Sequence, residues 1–187
     1  MKMLTIILVI NIESVNLYFR RLFKMINFIN KKNVNLKCGE FSDYDEAENF
    51  CKEFYCKATK SLDRVIVANI MTIQSHGLSL PRDEKAIIAI ENVIDTFPGT
   101  PFDIIVYRGG DLFFSNRPYL SASFLKKVAF KFSQNNFNNL HKIVIKKGTK
   151  IIPLYALNQL NNIADPEMEI IFDARKLRKA GDYYVCS

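Results

Sequence analysis

The sequence predicts an α+β domain in which helices come first and strands follow. From residue 42 to residue 97, apolar residues recur at the spacing of amphipathic helices. From residue 102 onward, short β-branched runs are separated by turn residues. We therefore expect helices segregated from a sheet. Neither a repeat nor a linker interrupts the chain, so one domain over residues 1–187 is predicted, with its β core over 102–187.

The first 40 residues are predicted to be a helical lead-in or a signal segment. Residues 3–10 form an apolar run behind Lys2, as in a short signal peptide, but no small-residue cleavage site follows. Residues 17–28 have the spacing of an amphipathic helix that packs on the domain or lies on a membrane. No segment is long enough to span a bilayer. We expect action inside a cell, and the opening run leaves secretion open.

Three helices are predicted next. Ser42 or Asp43 caps the first, whose apolar stripe consists of Ala47, Phe50, Cys51, Phe54, Tyr55 and Ala58. Residues 61–73 are mostly apolar and are read as a helix, although periodicity alone also allows a strand. Pro81 opens the third helix, whose apolar residues are Ile87, Ile88, Ile90, Val93, Ile94 and Phe97. Two prolines, Pro98 and Pro101, end the helical part.

Strands dominate the rest of the chain. Residues 102–107 are predicted to form a strand that ends at Arg108. Residues 119–123 precede a helix whose apolar face is Leu125, Val128, Ala129 and Phe132.

The last third of the chain is predicted to contain three more strands. Residues 142–146 and 150–154 are interpreted as a strand pair around a turn, and residues 155–165 as a polar connection. The final strand, residues 166–172, contains a Glu-x-Glu sequence.

The net charge and the positions of the cysteines and histidines limit the kinds of ligand and partner that the chain could bind. The net charge is +7, but the lysines and arginines are scattered, which suits anionic ligands such as dinucleotides as well as it suits DNA. We expect no nucleic-acid partner. The four cysteines have no CxxC spacing, and His76 and His141 are isolated, so no metal site and no disulfide framework are predicted. The cysteines indicate a reduced environment.

Three short motifs could carry chemistry. Strand alternation would place Glu167 and Glu169 on one wall, as in an active-site pair or on a solvated strand face. Arg108 precedes two glycines, a pattern that suits phosphate binding or a plain turn. Ser121 and Ser123 alternate before a helix, where they could serve a site or cap the helix. Each motif is weak alone, and their order in one chain strengthens them.

In this order the motifs resemble those of ADP-ribosyltransferases of the Arg–Ser–Glu class, which includes clostridial binary toxins and vertebrate ecto-enzymes. Three tripeptides match the family: Tyr107-Arg108-Gly109, Ser121-Ala122-Ser123 and Glu167-Met168-Glu169. Ala129 and Phe132 fall where the family has an alanine and a phenylalanine. Ala122 replaces the usual threonine. The family's additional phosphate-binding arginine is missing after Phe132, so Lys126 or Lys131 could take its place.

The resemblance implies a split β-sandwich around an NAD cleft and a toxin-like mono-ADP-ribosyltransferase. NAD would be the substrate, a protein arginine the acceptor, and no metal would be needed. The resemblance implies that Glu169 stabilises the ribosyl cation, that Ser121 braces Glu169, and that Glu167 deprotonates the acceptor guanidinium. It also implies that Arg108 binds phosphate and that the backbone of Gly109 contacts the carboxamide. Ser123 and Phe132 would complete the NAD contacts. Two alternatives stay open: an NAD glycohydrolase, and a basic binding module without activity.

Overall fold

The computed structural model describes residues 38–59, 62, 84–112, 118–161 and 166–187. All of these residues belong to one compact unit within residues 37–187. The predictions for residues 1–37, for the helix over 61–73 and for Pro81 fall outside the described residues. The single domain over 1–187 stays a prediction.

The first described helix begins where its capping residues predict. In α1 (Tyr44–Phe54), Asp43 is the N-cap, and its carboxylate accepts a hydrogen bond from the backbone N–H of Glu46 at 3.0 Å. The Glu46 carboxylate in turn accepts from the backbone N–H of Ser42, the residue before the N-cap, at 2.9 Å. Buried residues of α1 include Ala47, Phe50 and Cys51. A short helix, α2 (Cys56–Thr59), follows.

The next helix buries only part of its apolar set. In α3 (Glu84–Ile94), Ile90, Val93 and Ile94 are buried, but Ile88 is 57% exposed. At about 100° per residue, Ile88 and Ile90 lie on opposite sides of the helix. Ile88 therefore faces solvent while Ile90 packs into the core.

Eight strands form one mixed sheet in the described part of the chain. Seven of them follow the order β5-β6-β3-β2-β4-β8-β7, and β1 pairs with β2 outside this path. The strands are β1 (Cys38–Gly39), β2 (Asp103–Gly109), β3 (Tyr119–Ser123), β4 (Leu140–Ile145), β5 (Ile152–Pro153), β6 (Glu169–Asp173), β7 (Leu177–Ala180) and β8 (Tyr183–Cys186). The predicted α+β class is confirmed.

The sheet forks at β2. The start of β2 pairs in parallel with β1, through Asp103 and Ile104. Nearer its end, β2 pairs antiparallel with β3, where Tyr107 lies opposite Ser123. Along its length the other edge of β2 pairs with β4. At this fork, β1 and the branch β3-β6-β5 pair with different parts of β2. The sheet is therefore split between these two branches.

A helix covers β2 at the branch point. This helix, α4 (Lys126–Phe132), packs Ala129 into a buried cluster with Ile105, Tyr107 and Val144. Gly109 allows the close approach, because a Cβ atom there would lie 2.1 Å from the carbonyl oxygen of Ala129.

Two predictions for the second half of the chain were wrong. Residues 155–165 do not begin as a polar connection, because α5 (Leu154–Asn158) is buried along its whole length and is followed by a 3₁₀ turn, Gln159–Asn161. The strands β4 and β5 do not pair with each other: β4 pairs with β2 and β8, and β5 pairs with β6. Partner choice depends on distant strands, which local sequence does not encode.

The last two strands were missed by the sequence analysis. The strand β7 contains the charged residues Arg178 and Lys179, so its sequence lacks the apolar pattern of a strand. It forms the edge of the sheet, where charge is common because it discourages further pairing. In the part of the chain that the structure describes, no helix is long and apolar enough to cross a membrane.

Candidate active site

Three adjacent strands bring the three sequence motifs to one end of the sheet. Tyr107 on β2 lies opposite Ser123 on β3, and Ser123 lies opposite Glu169 on β6. Directly paired residues point to the same side of a sheet, and neighbouring strands are about 4.8 Å apart. Glu169 is therefore only two strands away from the first motif, although the two are far apart along the chain.

Arg108 and Ser121 are in direct contact. The Nη1 atom of Arg108 donates a hydrogen bond to the backbone carbonyl of Ser121 at 2.6 Å and lies 3.3 Å from its hydroxyl. The Nε atom donates to the carbonyl of Asp111 at 3.2 Å. The strand β2 continues through Arg108 and Gly109, two residues beyond the run predicted over 102–107. Arg108 is consequently fixed on a strand and held against β3.

The two glycines after Arg108 have different jobs. Gly109 is the last residue of β2 and lies beneath the end of α4. Gly110 has φ +89° and donates its N–H to the carbonyl of Asn139 at 2.9 Å. The plain-turn interpretation therefore applies to Gly110, whereas Gly109 is needed for close approach.

The hydroxyl of Ser123 is fully engaged. It donates to the backbone carbonyl of Glu167 at 2.5 Å and accepts from the N–H of Leu125 at 3.0 Å. Ser123 is buried and Ser121 half-buried. A role for Ser123 in NAD binding stays a prediction.

Phe132 does not share the buried face predicted for α4. Its side chain is 57% exposed, whereas Val128 and Ala129 are buried. The helix ends over Gly109, where β2 also ends, so the phenylalanine has little sheet beneath it. The ring is accessible for contact with a ligand.

The glutamates do not share a strand as predicted. The strand β6 begins at Glu169, and Glu167 lies in a turn. Between them, Met168 has φ +46° and is fully buried. Strand alternation requires extended backbone, and this left-handed residue interrupts it. Glu167 is exposed and Glu169 half-buried.

A cavity lies on the sheet face that carries Tyr107. Its volume is about 360 Å³, and its lining is Glu40, Tyr107, Lys126, Phe137, Leu140 and Lys142. The Tyr107 hydroxyl donates to the Glu40 carboxylate. Burial, followed by this bond, raises the pKa of Tyr107, which keeps its hydroxyl protonated. Sequence reasoning missed Glu40 and Lys142, because neither belongs to a motif.

His141 lies opposite Arg108, on β4. Burial is the main cause that lowers the pKa of His141, and the nearby Arg108 charge lowers it further, whereas a hydrogen bond to the backbone of Gly110 and the Asp111 charge oppose the shift. The imidazole is therefore held neutral beside the guanidinium at neutral pH.

Acidification below pH 6.5 should destabilise the protein through His141. A depressed folded-state pKa gives stability that is present above the ordinary histidine pKa and is lost as the pH falls through the folded value. We expect the free energy of unfolding to fall between pH 7.5 and pH 5.5, the window above carboxylate titration, and to fall less in His141→Gln. Denaturant unfolding at both pH values measures this. An equal fall in both proteins would contradict it.

Among the described residues, no cluster of histidine, cysteine and acidic side chains could hold a metal ion.

No family profile matches the chain, and no curated protein matches it.

The fold is that of ADP-ribosyltransferase toxins. Plx2a, an ADP-ribosyltransferase toxin from Paenibacillus larvae, superposes with a TM-score of 0.50 at 15% identity, over 76% of this chain and 93% of that one. An ADP-ribosyltransferase from Clostridium botulinum has a TM-score of 0.51 at 10% identity, over 79% of this chain and 96% of that one. BECa, an ADP-ribosylating toxin of C. perfringens solved with NADH, has a TM-score of 0.50 at 16% identity, over 71% of this chain and 41% of that one. At these identities the similarity establishes the shared fold.

Proposed function

We propose that the protein is a mono-ADP-ribosyltransferase that transfers ADP-ribose from NAD to an arginine of an acceptor protein. The observation that carries the proposal is the contact of Arg108 with Ser121, one strand away from the strand that Glu169 begins. The fold shared with ADP-ribosyltransferase toxins, one of them solved with NADH, supports NAD as the substrate.

The residues around Arg108 suit a dinucleotide. A guanidinium fork is the side chain best matched to phosphate oxygens. Gly109 follows Arg108 on β2, and the Phe132 ring at the end of α4 is exposed for stacking. The lysine-rich surface, including Lys126 at the cavity, attracts a polyanion. These features support the binding roles of Arg108 and Phe132, and Gly109 and Ser121 are proposed to complete the NAD contacts.

Glu169 is proposed to stabilise the reacting ribose. When the bond between nicotinamide and ribose breaks, its electron pair leaves with nicotinamide, which departs neutral, and positive charge develops at the ribosyl carbon. A fixed carboxylate beside that charge lowers the barrier by about 3 kcal/mol. Glu169 is half-buried at the start of a paired strand, which gives it the fixed position that this task requires.

Glu167 is proposed to act on the acceptor. An arginine nitrogen forms the new bond to the ribosyl carbon and loses a proton, which the Glu167 carboxylate takes. The exposed turn that carries Glu167 suits contact with a protein substrate.

Glu167→Gln should separate transfer from hydrolysis. We expect loss of ADP-ribosylation of agmatine, because the amide cannot take the proton, while measurable release of nicotinamide to water persists through Glu169. Nicotinamide release with and without agmatine measures both. Release by the wild-type protein that is independent of agmatine would favour the glycohydrolase, and no release at all would favour the binding module.

A further inference from the structure

The backbone between the two glutamates makes a left-handed turn that is held from the side. Met168 has φ +46°, a conformation that residues with side chains rarely adopt, and its side chain is 0% exposed. The Ser123 hydroxyl donates to the carbonyl of Glu167 at 2.5 Å, and the N–H of Phe124 donates to the carbonyl of Met168 at 3.1 Å. Two successive carbonyls of the turn are thus fixed by two successive residues at the end of β3.

The same hydroxyl also holds the start of α4. It accepts a hydrogen bond from the N–H of Leu125 at 3.0 Å, and Leu125 is the N-cap of that helix but cannot cap it with its own side chain. Ser123 is 6% exposed, so water competes little for these bonds. One buried hydroxyl therefore connects α4 with the turn that carries Glu167.

We infer that Ser123 and Met168 are positioning residues that set Glu167 apart from Glu169 and thereby fix how the reaction divides between an acceptor and water. This inference rests on the proposed function. Extended backbone at Met168 would put both carboxylates on one strand face. The left-handed turn instead leaves Glu167 in solvent and Glu169 half-buried. Hydrolysis needs Glu169 only, whereas transfer needs both, so a shift of the turn acts on transfer.

The first test removes the hydroxyl. Ser123→Ala should lower the ratio of agmatine ADP-ribosylation to NAD hydrolysis by about tenfold or more, because small misplacement of a catalytic group has effects of this size. Ser123→Thr retains the hydroxyl and should restore the ratio. Equal ratios in the wild-type protein and Ser123→Ala would overturn the inference.

The second test separates conformation from packing at Met168. Glycine adopts positive φ readily but loses the buried side chain, whereas isoleucine keeps apolar bulk but resists positive φ. We expect Met168→Gly to be the less stable protein with the wild-type ratio of transfer to hydrolysis, and Met168→Ile to have the lowered ratio. If the ratio of transfer to hydrolysis instead fell with the unfolding midpoint from variant to variant, the turn would act through packing alone. That result would overturn the inference.

A third measurement distinguishes failure of the inference from failure of the proposed function. Hydrogen exchange of the Phe124 and Leu125 amides should accelerate in Ser123→Ala, whatever the activity. A wild-type protein that releases no nicotinamide would overturn the proposed function. The inference about how the reaction divides between acceptor and water would then be overturned as well, because it rests on that function. Active variants with unchanged ratios and unchanged exchange would overturn the inference alone.

Discussion

Glu169→Gln is expected to lower nicotinamide release from NAD by about 10²- to 10³-fold, both with and without agmatine. The amide keeps the size of the carboxylate but has no negative charge to offer the ribosyl cation. The paired position of Glu169, opposite Ser123, means that the isosteric change should leave the sheet intact. Steady-state assays of nicotinamide release, with circular dichroism as a check on folding, measure the effect.

Glu169→Asp is the informative control for that result. It keeps the charge but retracts it by one methylene, so we expect activity between those of the wild-type protein and Glu169→Gln. If Glu169→Gln retained activity close to wild type, the carboxylate would have no part in catalysis. Loss with agmatine only, the pattern predicted for Glu167→Gln, would mean that the two glutamates have exchanged roles.

Gly109→Ala is expected to cost about 3 kcal/mol of unfolding free energy, at the upper end of overpacking effects. The new Cβ would lie 2.1 Å from the Ala129 carbonyl oxygen, 2.4 Å from the Ser133 nitrogen and 2.6 Å from the Phe132 carbonyl carbon. These are backbone atoms of the last turn of α4, which cannot move aside unless the whole helix shifts away from β2. Activity should fall with stability, because the same shift displaces the Phe132 ring. Denaturant unfolding gives the free energy.

Gly181→Ala provides a matched control. Gly181 has φ +69°, but a Cβ atom there would meet nothing within 4 Å. The cost should therefore be conformational only, about 1 kcal/mol, with no effect on nicotinamide release. If the two alanine variants were equally stable, the close approach of α4 to β2 would not be the reason for glycine at position 109.

Local signals in the sequence predicted local structure well. The cap at Asp43 places the start of α1, and the periodicity of residues 126–132 identifies α4, because both depend on neighbours within one helical turn. The Asn-rich stretch after α4 contains two successive positive-φ residues, Gln134 and Asn135, a conformation that asparagine adopts more readily than most residues. Such features need no distant partner.

Most of the errors concern structure that distant residues impose. Residues 155–158 were predicted as the start of a polar connection, yet they belong to the buried helix α5, which is tied to α1 by the bond from the Tyr155 hydroxyl to Glu48 at 2.7 Å. The pairing of β4 with β8 joins strands that are far apart in the chain. A strand beginning at residue 166 was expected, but the left-handed Met168 delays it to Glu169.

The sequence by itself determined the chemical groups available to this protein and their order: an arginine before two glycines, two serines, and two glutamates around a methionine. Alternation, periodicity and capping act over a few residues, so they also set the class of fold. Only the tertiary structure decided which strands are neighbours, and it thereby placed Arg108 on Ser121 and assigned Glu167 to a turn and Glu169 to a strand. Those contacts join segments that are distant in the chain, so they stabilise the protein only after folding has brought the strands together.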